Sequence, residues 1–146
     1  MKISLVTVTF NSAKTLADTI ESVLRQDYDD FEYLVVDGGS KDETVDIIKR
    51  YEPLFGGKMR WISEPDKGMY DGINKGIRMA TGEVVGIINS DDLYHRSDIL
   101  QIVNDSFEKN PGVQAIYGDV RFVNPDDLET TVRYYSSKRS YKGQRT

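Results

Sequence analysis

The chain has 146 residues, 29% charged and 38% hydrophobic, with a formal net charge of −5 and no cysteine. That balance describes one globular domain with a buried core, and it excludes a disordered chain, a disulfide scaffold and a thiolate metal site. No apolar run reaches the length of a membrane span, Lys2 leads straight into strand-like sequence without a leader, and the missing cysteines fit the cytosol.

Lys2 to Phe10 is rich in β-branched residues and is predicted to be the first strand. Asn11 and Ser12 offer N-cap oxygens to a helix in which Ala13, Leu16, Ala17, Ile20, Val23 and Leu24 recur at helical spacing up to Gln26. Phe31 to Asp37 reads as a second strand closing on the turn Asp37-Gly38-Gly39-Ser40. Ser40 and Glu43 form a capping-box pattern for a helix through Val45, Ile48 and Tyr51. Pro53, Gly56 and Gly57 break that helix, and Met59 to Ser63 is a short third strand.

Glu64, Pro65, Asp66 and Gly68 then form a loop into a helix carrying Ile73, Ile77 and Ala80, with Gly72 and Gly76 inside it. Glycine costs roughly 1 kcal/mol against alanine in a helix, so these two point to close packing on a neighbouring backbone. Val84 to Ile88 is a nearly all-apolar run, the mark of a strand buried on both faces, and it ends in Asn89-Ser90-Asp91-Asp92. Ser97 is positioned to cap a last helix from Ile99 to Asn110, stopped by Pro111-Gly112. Val113 to Tyr117 and Val120 to Val123 complete the expected strands. Alternating strands and helices imply an α/β fold: a doubly wound, mostly parallel sheet with helices on both faces.

The basic and acidic residues separate along the chain. After Glu129 there is no acid, while Arg133, Lys138, Arg139, Lys142 and Arg145 supply five positive charges, leaving 14 basic and 24 acidic groups in the preceding 129 residues, a net of −10. An acidic body argues against nucleic-acid binding. Residues 1–130 are read as the domain and 131–146 as a basic, aromatic tail, expected to be poorly ordered and too aperiodic for an amphipathic anchor.

Three strand ends bring polar groups to one rim: Thr9 to Asn11, Asp37 to Ser40, and Asn89 to Asp92. Ligands of parallel sheets collect at such a rim. No G-x-G-x-x-G or G-x-x-x-x-G-K-[ST] loop is present, which disfavours a dinucleotide dehydrogenase and a P-loop ATPase. Asp91 and Asp92 are candidate ligands for Mg²⁺ or Mn²⁺, hard ions that bind carboxylates and bridge to phosphates. The plainer reading of the pair is a loop opening or a helix cap. Asp37 likewise has two readings: it accepts a hydrogen bond from a ribose hydroxyl or a base N–H, or it only shapes the Gly38-Gly39 turn. His95, the single histidine, is read as an exposed loop residue beside Arg96.

Val-Thr-Phe-Asn at 8–11, Val-Val-Asp-Gly-Gly-Ser at 35–40, Asp-Gly-Ile-Asn-Lys-Gly-Ile at 71–77, Ala-Thr-Gly-Glu at 80–83 and Asn-Ser-Asp-Asp at 89–92 together resemble family 2 glycosyltransferases of the GT-A fold. The resemblance implies the nucleotide-sugar-binding part of such an enzyme over roughly residues 2–125, with the C-terminal acceptor half missing. It implies that Val8, Thr9 and Asn11 lie along the nucleotide, that Asp37 recognises the base, usually uracil, and that Asp66 and Lys67 border the same pocket. Ser90-Asp91-Asp92 takes the place of the family's D-x-D, with Asp91 near the ribose and Asp92 on Mn²⁺ or Mg²⁺; Ser90 replaces the first acid of that motif. The implied partners are a nucleotide-sugar donor, a UDP-sugar by preference, and a saccharide or lipid-linked acceptor in surface polysaccharide synthesis. The expected setting is the cytoplasm; the basic, aromatic tail suggests peripheral contact at the inner face of the membrane, and apolar surface exposed where the missing half should dock would promote homodimers. Of the downstream acids Glu108, Asp119, Asp126, Asp127 and Glu129, none sits where the family places its catalytic base, so none is assigned that role. The rival expectation is a catalytically silent nucleotide-sugar-binding module.

Overall fold

A computed structural model describes residues 1–138, which fall into two compact units, Met1–Asp105 and a second beginning at Ser106. In the first unit, strands β1 (Ile3–Thr9), β2 (Phe31–Asp37), β3 (Met59–Ser63) and β4 (Val84–Ile87) alternate with helices α1 (Leu16–Leu24), α2 (Thr44–Tyr51) and α3 (Met69–Met79). The strands form one parallel sheet in the order β3-β2-β1-β4. Helix α4 (Ile99–Lys109) begins in this unit and carries the chain into the second.

Strand periodicity separates two faces. Ile3, Leu5, Tyr33 and Val35 point to one side, where Leu16, Ile20 and Val23 of α1, Ile47 and Ile48 of α2, and Leu100 cover them. Val6, Leu34 and Val36 are fully buried on the other side, where α3 packs on β1 and β2. Gly72 and Gly76 set the depth of that packing. A Cβ on Gly76 would lie 2.3 Å from Val6 Cγ1, and one on Gly72 would lie 2.5 Å from Val8 Cγ1. The two glycines do serve close packing, but what they meet is the valine side chains of β1 and not the neighbouring backbone that the sequence suggested.

β4 differs from expectation. Among the described residues it pairs with β1 alone, at the sheet edge, and Val85 and Ile87 are 40% and 51% exposed, so the run is not buried on both faces. An apolar run by itself does not distinguish an edge strand from a central one. Three expected caps also serve elsewhere. Ser12 Oγ meets Ser90 Oγ at 3.0 Å, Ser40 Oγ donates to Asp37 Oδ1 at 2.5 Å, and Ser97 Oγ donates to Asp27 Oδ2 at 2.6 Å. α1 and α2 start later than predicted, at Leu16 and Thr44, and Gln26 Oε1 accepts the Leu100 N–H near the start of α4.

Glu32 ties the opposite end of the sheet together. It is 6% exposed and accepts hydrogen bonds from Ser4 Oγ (2.7 Å), Thr81 N (2.7 Å), Thr81 Oγ1 (2.9 Å) and Arg60 Nη2 (2.7 Å). Burial alone would raise its pKa; the bonds from Ser4, Arg60 and Thr81 outweigh burial and bring it down to about 2.

In the second unit, β5 (Val120–Asn124) and β6 (Asp127–Tyr135) form an antiparallel hairpin. Thr131 to Tyr135, assigned from sequence to a poorly ordered tail, are therefore strand. Their β-branched and aromatic residues find a ladder partner across a Pro-Asp turn, and Phe122 stacks edge-on against Tyr135 with ring centroids 5.8 Å apart. Val113 to Tyr117, expected as a strand, has no ladder partner among the described residues, and Val113, Ile116 and Tyr117 are exposed. The remainder of the expected tail from residue 139 onward lies outside the described residues. No helix among the described residues is long and apolar enough to cross a membrane.

The depressed pKa of Glu32 has a defined pH signature. The unfolded chain binds the proton more tightly, so this contribution is fully present above about pH 4.5 and is lost as pH falls toward 2. Glu32→Gln should lower stability at pH 7 by about 2 kcal/mol, screening allowed for, and should flatten the acid limb of a Tm-against-pH curve. Gly76→Ala should destabilise by about 1–3 kcal/mol, read by urea unfolding followed with far-UV circular dichroism.

Candidate functional site

The carboxyl ends of β1, β2 and β3 lie in register: Thr9 pairs with Asp37 and Asp37 with Ser63. Asp37 is fully buried. Its Oδ2 accepts from Gly39 N (3.1 Å), Ser40 N (3.0 Å) and Ser63 Oγ (2.6 Å), and its Oδ1 accepts from Ser40 Oγ (2.5 Å). A carboxylate offers about four acceptor positions, and these four bonds hold the turn after β2 and fasten it to β3.

The loops after β1 and β2 are laced together. Asn11, at φ 49°, donates its N–H to Ser40 Oγ (2.8 Å) and accepts the Lys41 N–H on Oδ1 (2.9 Å). Asp42 accepts from Ala13 N (3.2 Å), Thr44 N (3.0 Å) and Thr44 Oγ1 (2.5 Å). The Thr44 hydroxyl bond holds the Asp42 carboxyl below the ordinary range. Thr44 Oγ1 accepts the Ser12 N–H at 2.8 Å.

The loop after β4 is fastened to α1. Thr15 Oγ1 donates to Ser90 O (2.8 Å) and Thr19 Oγ1 to Asp92 O (2.7 Å). Thr7 Oγ1 donates to Ile88 O (2.9 Å), which fixes the point where the chain leaves the sheet. Asn89 Nδ2 donates to Asp92 Oδ2 at 2.9 Å.

Between these loops lies a cleft of about 700 Å³ lined by Val8, Asn11, Ser12, Asn89, Ser90 and Asp91, with Lys14, Thr15, Asp42 and Met69 completing its wall. Three of the expected residues, Val8, Asn11 and Asp91, are thereby brought together. Thr9 is buried, its hydroxyl has no hydrogen-bond partner among the described residues, and its carbonyl accepts the Gly38 N–H at 2.9 Å. Lys67 is exposed and donates its backbone N–H to Asp71 Oδ2 (3.1 Å). Asp66 is half-buried and lies next to Val8, because both flank the position a Gly72 Cβ would occupy.

Among the described residues no cluster of three or more His, Cys, Asp and Glu side chains is placed to hold a metal. Asp91 and Asp92 supply hard carboxylate oxygens on one turn, a donor set suited to Mg²⁺ or Mn²⁺ when substrate phosphates and water complete the shell. Sequence reasoning missed Asp42, Lys14 and Thr15. The Asp-x-Thr spacing at 42–44 is the signal that marks Asp42, since it is a local side-chain-to-backbone turn.

Residues 4–145 match the family model described as Glycosyl transferase family 2. The chain belongs to that family. A PGL/p-HBAD biosynthesis glycosyltransferase of Mycobacterium bovis is 35% identical to this family member over 117 residues, 80% of this chain and 46% of that protein. The chain thus spans about half the length of the curated relatives it matches. Among solved structures, S. aureus TarS aligns with a TM-score of 0.67 and 28% identity over 75% of this chain and 20% of that one. The mannosyltransferase PcManGT from Pyrobaculum calidifontis, solved with GDP-Man and Mn²⁺, aligns with a TM-score of 0.71 and 26% identity over 87% of this chain and 37% of that one. The fold of this family 2 chain is GT-A, as its sequence motifs imply.

Asp119, in the second unit, is engaged by Tyr134 Oη, Ser137 N (2.7 Å) and Ser137 Oγ (2.7 Å), and the Tyr134 bond first, then those from Ser137, bring its pKa to about 2. It anchors the hairpin and is a poor proton acceptor near neutral pH.

Asp37→Asn should turn an acceptor oxygen into a donor facing other donors. We expect a loss of about 1–3 kcal/mol, measured as a lowered Tm by differential scanning calorimetry.

Proposed function

We propose that the chain forms the nucleotide-sugar-binding part of a glycosyltransferase that passes a sugar from a nucleotide-sugar, a UDP-sugar by preference, to a saccharide or lipid-linked acceptor in surface polysaccharide synthesis. The observation that carries this reading is the cleft at the carboxyl ends of β1 and β4, walled by Val8, Asn11, Ser90 and Asp91, in a chain whose family is shown. The relatives named above support it: one acts in PGL/p-HBAD biosynthesis, and a neighbour of the same fold is solved with GDP-Man and Mn²⁺.

On this reading each residue has a physical task. Val8 gives the nucleoside an apolar floor, and Asn11, held at positive φ, shapes the wall beside it. Lys14 supplies positive charge at the α1 side of the cleft. Asp91 and Asp92 would hold Mn²⁺ or Mg²⁺, whose charge stabilises a leaving diphosphate. Asn89 orients Asp92 through its Nδ2 bond, and Thr15 and Thr19 fix the backbone of the same turn. Inverting transfer also needs a base to take the acceptor proton; Asp119 is committed to the hairpin, and none of the acids Glu108, Asp119, Asp126, Asp127 and Glu129 is given that task. We place this work at the inner face of a membrane, with self-association of the chain as part of the same reading.

Calorimetric titration of UDP and GDP into the protein tests the reading. We expect binding that rises at least tenfold on adding Mn²⁺ and falls back with EDTA. Asp92→Ala should abolish the gain from Mn²⁺ while leaving metal-free binding within about twofold. Unchanged Mn²⁺ dependence in that variant would remove Asp92 from the metal role. Release of free sugar from a nucleotide-sugar separates an enzyme from a silent binding module.

A further inference from the structure

The carboxylate that the turn leaves available is Asp66. Asp37 is fully buried, and four donors of its own turn and of β3 occupy its oxygens. Asp66 Oδ1 accepts the Gly68 N–H at 2.9 Å, while Oδ2 has no donor among the described residues. That oxygen lies 2.8 Å from where a Gly38 Cβ would stand and 3.3 Å from where a Gly72 Cβ would stand. Gly38 is not at positive φ, so its backbone does not require glycine. What excludes a side chain there is the Asp66 carboxylate.

The loop that carries Asp66 is fastened in several places. Lys75 Nζ bonds Pro65 O (3.1 Å) and Glu64 Oε1 (2.9 Å), Glu64 N donates to Asp37 O (3.0 Å), and Lys67 N donates to Asp71 Oδ2 (3.1 Å). Asp66 is thus a fixed acceptor standing on the turn after β2, with Val8 of β1 beside it and Asp91 beyond β4. β2 and β4 lie two strand spacings apart, roughly 10 Å, a span suited to a nucleoside diphosphate with its base at one end and its phosphates at the other.

We infer that Asp66, seated in the hollow left by Gly38 and Gly72, is the residue that selects the nucleobase, and that Asp37 only builds the turn beneath it. The inference rests on the nucleotide-sugar reading above and deepens it. A fixed carboxylate oxygen accepts the ring N–H of uracil or guanine. Cytosine and adenine present a bare ring nitrogen at that position, so two acceptors face each other. A site built to satisfy a hydrogen bond rejects the partner that cannot make it. The class selected is therefore a nucleoside diphosphate with a ring N–H on its base.

The test is calorimetric titration of UDP, GDP, CDP and ADP, each with Mn²⁺, into the wild-type chain and into Asp66→Asn and Gly38→Ala. The wild type should bind UDP or GDP at least tenfold tighter than CDP and ADP, and the relative affinity of the first two tells which base is native. In Asp66→Asn the amide oxygen can keep the Gly68 N–H, which places an NH₂ where Oδ2 stood. The preference should then collapse or invert toward CDP or ADP, with Tm held within a few degrees. Gly38→Ala should displace Asp66 and lose the preference with the Asp66 side chain intact. Equal binding of all four nucleotides by the wild type, or an unaltered preference in both folded variants, would overturn the inference while the nucleotide-sugar reading stands. Absence of binding by any of the four to the wild type would overturn the reading itself, and the inference with it.

Discussion

The contact on which the site depends is that of α3 on β1, where the Val8 and Val6 side chains meet a helix surface that carries no side chain at Gly72 and Gly76. Two interior glycines cost a helix roughly 1 kcal/mol each against alanine, and burial of the Val6 and Val8 side chains against the helix backbone offsets that cost. The consequence extends past packing. A helix seated this deeply draws its N-terminal loop, 64–68, down onto the turn after β2, where a third small residue, Gly38, leaves room for Asp66. Glycines on two elements and one acid on the connecting loop thus form a single unit.

A second constraint is the demand for hydrogen-bond partners where four chain segments leave the sheet together. Backbone N–H groups at such a rim need acceptors, and Asp37, Asp42 and the Asn11 side chain supply them to residues 39–41, 13 and 44. Each of these acids is engaged in scaffolding. The acids with freedom to meet a ligand are those with an oxygen that the scaffold does not consume: Asp66 through Oδ2 at one side, and at the other Asp91 and, since Asn89 takes its Oδ2, Asp92 through Oδ1.

Much of this architecture can be read from the chain because its strands carry strong local signals. Phe31–Asp37 and Met59–Ser63 are predicted to the residue, since each is a β-branched or aromatic run bounded by turn residues. The interior glycines of α3 likewise point to close packing before any contact is seen. Caps are read less well. Ser12, Ser40 and Ser97 have cap chemistry, yet each is satisfied by a partner distant in sequence or by its own turn, and no local pattern separates those uses. Val113 to Tyr117 has strand composition without a ladder partner among the described residues, while Thr131 to Tyr135 gains strand structure from its hairpin. The site shows the same division. Asp91 and Asp92 announce themselves by adjacency at a strand end. The commitment of Asp37 depends on Ser63, 26 residues away, and the placement of Asp66 depends on side chains that Gly38 and Gly72 lack.

Charge finally explains why a cation belongs to the proposed chemistry. The cleft wall carries Asp42 and Asp91, and Asp42 is held ionised by the Thr44 hydroxyl, against the single lysine Lys14. Two like charges 4 Å apart repel by roughly 1 kcal/mol in water and about 4 kcal/mol at the effective dielectric near a protein surface. A diphosphate entering this rim therefore meets repulsion that one lysine does not balance. A divalent ion held by Asp91 and Asp92, as proposed, would turn such carboxylates from a barrier into ligands. On the proposed reading, the acidity that argues against nucleic acid as a partner would, at this rim, make diphosphate binding conditional on metal.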